Sequence, residues 1–346
     1  MRGRSGTFTS GKSASRRHPA SASNKHKQPA TSLKFAVRRF AQAVPLLLII
    51  SLLVFGLIHA APGGPLSLYL DNPNVRPEDI ERLKRAMGLD KPLGAQYLSW
   101  LASFVRGDWG YSYADGRPVT ERMLERVPAT LQLVGISTVV AVIVSIGVGV
   151  GAAMRRGVDH AASIGAVAGL SVPVFWLGLV LQLLFSNTLG WLPSSGRASF
   201  IGGGLADRLA HLVLPVTVLA VAHAAGWSRY LRGSVRLALA QPFANAARAR
   251  GVTETRIVLR HALRHALLPF ATVVLLDASI MASGAVVTES VFAWPGIGSL
   301  FTEALAKRDY TVLMAFLMCA SVAVVMLSFL ADVAVHALDP RTRNAS

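Results

Sequence analysis

Six stretches of about 20 or more residues carry almost no charge, and no other feature constrains the chain as much. They cover residues 41–61, 130–154, 161–187, 209–228, 266–288 and 310–331. A helix needs about 20 apolar residues to cross a hydrocarbon layer about 30 Å thick. Backbone N–H and C=O groups find no water in that layer, so each stretch is expected to be helical. Charged residues make up 15% of the chain, against about 25% in a soluble domain. An ordinary soluble enzyme is excluded, and a polytopic membrane protein is expected. The single cysteine, Cys319, lies inside the last apolar run. It has no intrachain partner, so disulfide and cysteine-metal frameworks are excluded.

The net charge of +17 would suggest nucleic acid if it lay on one soluble face. Its distribution points elsewhere. With the N-terminus in the cytoplasm, the inner segments 1–40, 155–160, 229–265 and 332–346 hold 22 of the 35 Lys and Arg. The outer segments hold the remaining 13, matched there by 13 acidic residues. This is a positive-inside bias, so both termini are expected in the cytoplasm and no nucleic-acid partner is expected. Membrane lipid is a partner by construction.

Two non-membrane segments are longer than connections require: 62–129 outside and 229–265 inside. The outer one contains an amphipathic pattern over 77–87, with Gly88 as its stop. Several local patterns do not carry function. Gly6 to Ser13 matches the letters of a phosphate loop. It lacks the preceding strand and following helix that would fix backbone N–H groups around phosphate. Residues 1–33 read instead as a disordered basic tail. Arg38 and Arg39 precede an apolar run too long for a signal core, so an uncleaved first helix is expected. His261 and His265 share a helix face, but their neighbours Arg260 and Arg264 repel a cation, and no metal site is expected. Small residues at 145, 147, 149 and 151 allow close helix contact.

Asp277 interrupts the fifth run. An ionised side chain in mid-membrane costs several kcal/mol and faces a cavity or a partner. Lining of a pathway and a buried hydrogen bond are both open readings. The cytoplasmic segment from Gln241 is more specific. Pro242 suits a first helical turn. Phe243, Ala246 and Ala247 fall at i, i+3 and i+4, giving one bulky knob on a small-residue face. Gly251 ends the helix, and Thr253 can cap the next one. That second helix meets the membrane at Pro269. A short helix between two spans, shaped for another protein's groove, is expected.

Asn245-Ala246-Ala247 followed by Gly251, then Leu268-Pro269, resembles the EAA loop of ABC-importer permeases. The glycine-to-proline spacing is similar to the B-type subunit of the dipeptide/oligopeptide/nickel branch. The resemblance runs from about Leu33 to Arg343. It passes through Gly107-Asp108-Trp109-Gly110, Arg126-Val-Pro-Ala-Thr130, Ser171-Val-Pro173, Thr288-Glu289, Trp294-Pro295-Gly296 and Arg308-Asp309-Tyr310. Asn245 stands where the general motif has glutamate, and Asp277 where an uncharged polar residue is expected.

The resemblance implies an all-α type I importer permease fold with six spans over residues 34–346. It implies a multi-pass protein of the bacterial inner membrane, with no catalytic residues and no metal. The chain itself would hold no cofactor; ATP and Mg would bind two partner ATPases. A homologous second permease and a periplasmic or lipoprotein substrate-binding protein complete the expected set. Phe243, Asn245, Ala246, Ala247, Gly251 and Pro269 would couple to the ATPases. Asp277, Ser279 and Ser283 would line the substrate pathway. Glu289, Trp294 and Asp309, with the outer segment, would face the binding protein. Peptides are the expected substrates, by alternating access, with nickel or another small solute as an alternative. An ion-coupled carrier built on Asp277 is a second alternative, and it would need no ATPase. A scaffold or receptor working through 62–129 is a third, and it predicts no flux.

Overall fold

In the computed structural model the described residues are 29–60, 76–86, 88–199 and 203–338. Most of the expected basic tail, and the tail motif beyond Leu338, lie outside them. The chain divides into two units, 1–41 and 42–346. In the first, the described residues are helical from Pro29. Helix therefore begins five residues before the boundary expected from composition. The second unit holds all that follows.

Among the described residues the chain is helical, with one isolated bridge, Tyr111 to Pro118. The first helix, α1, covers Pro29–Ala60. Outside the membrane come α2 (Pro77–Ala86) and α3 (Leu93–Val105). Gly88 takes φ +66 just past α2, the helix stop expected there. Then follow α4 (Val119–Met154), α5 (Arg156–Ser171) and α6 (Val174–Leu181), which runs into a π-helical turn, Gln182–Thr188. Helix α7 is Leu205–Leu239, α8 is Pro242–Ala249, and α9 is Glu254–Ile257. A second π-helical turn, Val258–Ala262, joins α9 to α10, Leu263–Val291. Helices α11 (Ile297–Ala306) and α12 (Tyr310–Leu338) complete the chain.

Five helical stretches are long and apolar enough to cross a membrane: Ala41–Ala60, Val119–Met154, Leu205–Leu239, Glu254–Ala278 and Tyr310–Val333. The remaining apolar stretch is not the single helix expected. Helices α5 and α6 are bent by 100°. The cause is local. Pro173 has no N–H to donate and forces Val172 out of the helical region, to φ −84 and ψ 123.

The bundle core forms where α4 lies along α7 and α7 along α10. Small residues on α4 set the first contact. Ser137, Ala141, Ser145 and Gly149 recur every four residues and are buried. A Cβ at Gly149 would come within 3.0 Å of the Ser228 carbonyl oxygen. The second contact centres on Trp227, packed with Leu231, Val258, Ala262, Ala266 and Phe270. The last four recur every four residues, a spacing that drifts around an ideal α-helix. The wide turn at Val258–Ala262 offsets the drift and keeps all four on α7.

Candidate functional site

At the cytoplasmic end, α8 is a separate short helix between two spans. Gln241 is extended, with φ −74 and ψ 153, and Pro242 opens the helix, where its missing N–H costs nothing. The helix ends as its sequence requires. Gly251 takes φ +76, and its N–H donates to the Arg248 carbonyl at 2.9 Å. The Val252 N–H reaches back to Ala247 O at 3.2 Å, closing a six-to-one turn that a Cβ at Gly251 would strain. Thr253 precedes α9 with extended backbone, but its hydroxyl makes no cap bond. The expected capping role is not seen; its carbonyl instead accepts the Ile257 N–H at 3.0 Å.

The faces of α8 differ from the sequence expectation. Ala244 and Ala247 are the buried pair, packed on Ile257 with Leu239 and Val252. Phe243 is half-buried against the same cluster, its ring centroid 5.0 Å from that of His265 at the start of α10. It is therefore no outward knob. It ties α8 to the helix that becomes the fifth span. Pro242, Asn245, Ala246 and Ala249 form the exposed surface. Arg248 Nη1 donates to Asn245 Oδ1 at 2.9 Å, and Arg248 also grips Glu254 at 2.8 Å. The hydrogen bond to Glu254 holds the Arg248 guanidinium above its usual range. Pro269 lies within α10, which continues through it.

Midway along α10, Asp277 falls on the same helix face as the buried Phe270, Met281 and Ala285. The Trp227 indole N–H donates to Asp277 Oδ2 at 2.8 Å. Trp227 is 2% exposed and the carboxylate half-buried. Of the two readings of Asp277, the interhelix hydrogen bond is present. The side chains of Ser279 and Ser283 lie outside the described residues.

At the outer end the structure corrects an expectation. Glu289, Trp294 and Asp309 are all 0% exposed, so their side chains do not face a docking protein. Each is an internal brace. Thr130 Oγ1 donates to Glu289 Oε1 at 2.6 Å and accepts the Ile297 N–H at 2.8 Å. Glu289 Oε2 accepts the Ser299 N–H at 3.1 Å. A carboxylate thus sits at the amino end of α11, where unpaired N–H groups favour negative charge. Gly296 and Gly298 make room for it; a Cβ on either would strike the Glu289 carboxylate. The Trp294 indole N–H donates to Ala129 O at 2.9 Å. Asp309 accepts Ser112 Oγ at 2.5 Å, with Arg122 Nη1 3.7 Å away. Those two contacts tie the turn before α4, and the first turn of α4 itself, to the start of α12.

The arrangement is that of a helical bundle with a short separate helix, α8, at one end and a braced cap at the other. A family model described as "Binding-protein-dependent transport system inner membrane component" matches residues 141–344.

The chain belongs to this family.

The companion model for the N-terminal part of binding-protein-dependent transport membrane components matches residues 32–134. Among curated relatives of this permease, the oligopeptide transport system permease protein AppB of Bacillus subtilis is 39% identical. That match covers 89% of this chain and 98% of AppB. The dipeptide transport system permease protein DppB of Escherichia coli K12 is 34% identical, over 90% of this chain and 99% of DppB. The glutathione transport system permease protein GsiC of the same strain is 36% identical, with the same coverage. In fold, the permease resembles a chain of the inward-facing MetNI methionine ABC transporter, with a TM-score of 0.51 and 19% identity. That match covers 63% of this chain and 96% of the other. The protein is thus a multi-pass permease of the inner membrane.

Sequence reasoning missed the partners of the permease's buried polar residues: Trp227, Thr130, Ser112 and Arg122. Thr130 opens the second apolar run and pairs with Glu289; Arg122, besides the nearby Asp115 at 3.3 Å, reaches Asp309 at 3.7 Å; Glu289 and Asp309 both lie more than 150 positions from these partners. No local pattern carries that information.

Proposed function

We propose that this chain supplies one half of the translocation pathway of an ATP-driven importer of di- and oligopeptides. The observation that carries the reading is α8. Its outward surface is small and flat, and its inward face is clamped to the root of α10. A partner ATPase gripping Asn245, Ala246 and Ala249 would move α8 as a rigid piece. Phe243 would pass that motion to His265 and so to the fifth span. ATP and Mg belong to two such ATPases; the present chain contributes the lever and the pathway wall. A second, homologous permease supplies the other half. A substrate-binding protein delivers the peptide to the outer surface, where the braces at Glu289 and Asp309 give it a rigid platform.

Peptide is the favoured substrate because the relatives named above are peptide and glutathione permeases over nearly their whole lengths. Asp277, with Ser279 and Ser283, is proposed to border the pathway. A nickel or other small-solute importer would share this architecture.

The test is uptake by the chain reconstituted in vesicles with the permease, ATPases and binding protein that co-purify with it. ATP-dependent accumulation of a labelled dipeptide, unaffected by excess nickel, is the expected result. Uptake that continues without ATP and stops when the proton gradient collapses would overturn the reading in favour of an ion-coupled carrier.

A further inference from the structure

The cytoplasmic root of the fifth span carries a row of arginines that make no ion pair or hydrogen bond among the described residues. Arg256, Arg260 and Arg264 follow at four-residue steps, with His261 and His265 beside them, and all five are exposed. None of the three arginines makes an ion pair or hydrogen bond among the described residues. The one acidic residue of this stretch, Glu254, is held by Arg248 at 2.8 Å. The opposite side of the same stretch is fully committed, since Ile257, Val258, Ala262 and Ala266 are at most 1% exposed. The row is therefore locked outward by packing.

We propose that this face binds the headgroup of an anionic phospholipid of the cytoplasmic leaflet. Three observations favour lipid over an acidic protein surface. Arg264 and His265 immediately precede the apolar run that starts at Ala266, which sets them at headgroup depth. The row rises about 12 Å from Arg256 to Arg264 at 1.5 Å per residue, so long stems reach the same layer from above. Leu259, 54% exposed, stands among the cations; an apolar side chain there suits the glycerol and upper acyl region of a lipid. The docking surface of α8 is separate, formed by Asn245, Ala246 and Ala249. Clustered cations just inside a span attract anionic lipid by about 1 kcal/mol each, which is about fivefold in affinity per residue.

The experiment titrates phosphatidylglycerol onto the delipidated, detergent-purified complex and counts bound lipid by native mass spectrometry, with phosphatidylcholine as the neutral probe. Wild type is expected to retain phosphatidylglycerol selectively, and added salt to weaken that retention. Arg256→Gln, Arg260→Gln and Arg264→Gln are each expected to lower affinity about fivefold, and the triple change about a hundredfold. The triple Lys variant should keep most of the binding, because charge rather than shape is the determinant. Equal retention of phosphatidylglycerol by wild type and the single Gln variants overturns the proposal. So does a triple variant that sheds its ATPases while its lipid preference is unchanged, which would assign the face to protein. The single variants alter exposed side chains with no partner among the described residues, so the reading does not depend on the triple variant assembling.

Discussion

The indole nitrogen of Trp227 donates to the Asp277 carboxylate at 2.8 Å, linking the fourth and fifth spans in the middle of the bundle. Trp227 is buried on α7, and Asp277 has no hydrogen bond from any other group among the described residues. The bond therefore decides both where α10 sits against α7 and how much of the carboxylate's demand is met.

Trp227→Phe keeps the aromatic volume and removes the donor. A hydrogen bond to a charged group contributes about 1.5–3 kcal/mol, and the half-buried Asp277 carboxylate has no other donor among the described residues to replace it. Thermal unfolding of the detergent-solubilised protein should show a loss of about 2 kcal/mol. Asp277→Asn should lose less, because its amide oxygen can still accept. A Phe variant that melts with the wild type would show that the bond is dispensable.

Thr130 serves two partners at once, as donor to Glu289 and acceptor for Ile297. Thr130→Val is nearly isosteric and breaks both links. The expected cost is about 2–3 kcal/mol, since the Ile297 N–H loses its acceptor and Glu289 Oε1 its donor while Oε2 keeps the Ser299 N–H. Thr130→Ser should recover most of it. The measurement is chemical denaturation followed by tryptophan fluorescence, since Trp294 lies in the same brace. Indistinguishable Val and Ser variants would remove Thr130 from the brace.

Asp309 is the buried acceptor for Ser112 and sits near Arg122, whose side chain is 11% exposed. Asp309→Ala leaves Ser112 without its buried acceptor, while Arg122 keeps Asp115 at 3.3 Å. Leaving such a buried partner unpaired costs about 1–3 kcal/mol. The expected signature is local: faster protease cleavage in 106–118 than in the wild type, with the cytoplasmic loop unchanged. Uniformly faster cleavage at both ends would mean that Asp309 supports the whole fold and not the outer turn.

Gly251→Pro places a residue fixed near φ −65 where the backbone needs +76, and removes the N–H that donates to Arg248. The chain should still insert in the membrane, because no span is touched. Coupling should fail: ATP hydrolysis by the assembled complex should no longer respond to substrate-loaded binding protein, and uptake should fall to background. Normal stimulation with normal uptake would show that α8 is not the lever. Gly251→Ala should be milder, costing about 1–2 kcal/mol for a left-handed alanine.

Much of the molecule was legible because its signals are local. Gly251 and Pro242 bound α8 through backbone preferences that act within a few residues, and both ends fall where the sequence put them. Pro173 was visible too, but its consequence was not. A proline can kink a helix gently or break it, and neighbouring packing chooses between these outcomes. Phe243 shows the same limit. Its spacing with Ala246 and Ala247 is true of the helix, yet spacing does not say which side meets the bundle. Burial of Ala244 and Ala247 against Ile257 turned the face by about one residue, or about 100°, and drew the ring inward.

The sequence by itself determined that this chain crosses a membrane, how many apolar runs it has, which side is cytoplasmic, and where the short helix between the fourth and fifth spans lies. These follow from desolvation and charge bias, which are properties of segments and sum along the chain. The tertiary structure alone decided that Glu289, Trp294 and Asp309 point inward, that Asp277 is held by Trp227, and that the arginines at 256, 260 and 264 point outward. A buried polar group must find a partner, and the partner is brought by packing from positions distant in the chain. Spacing along one helix cannot name it.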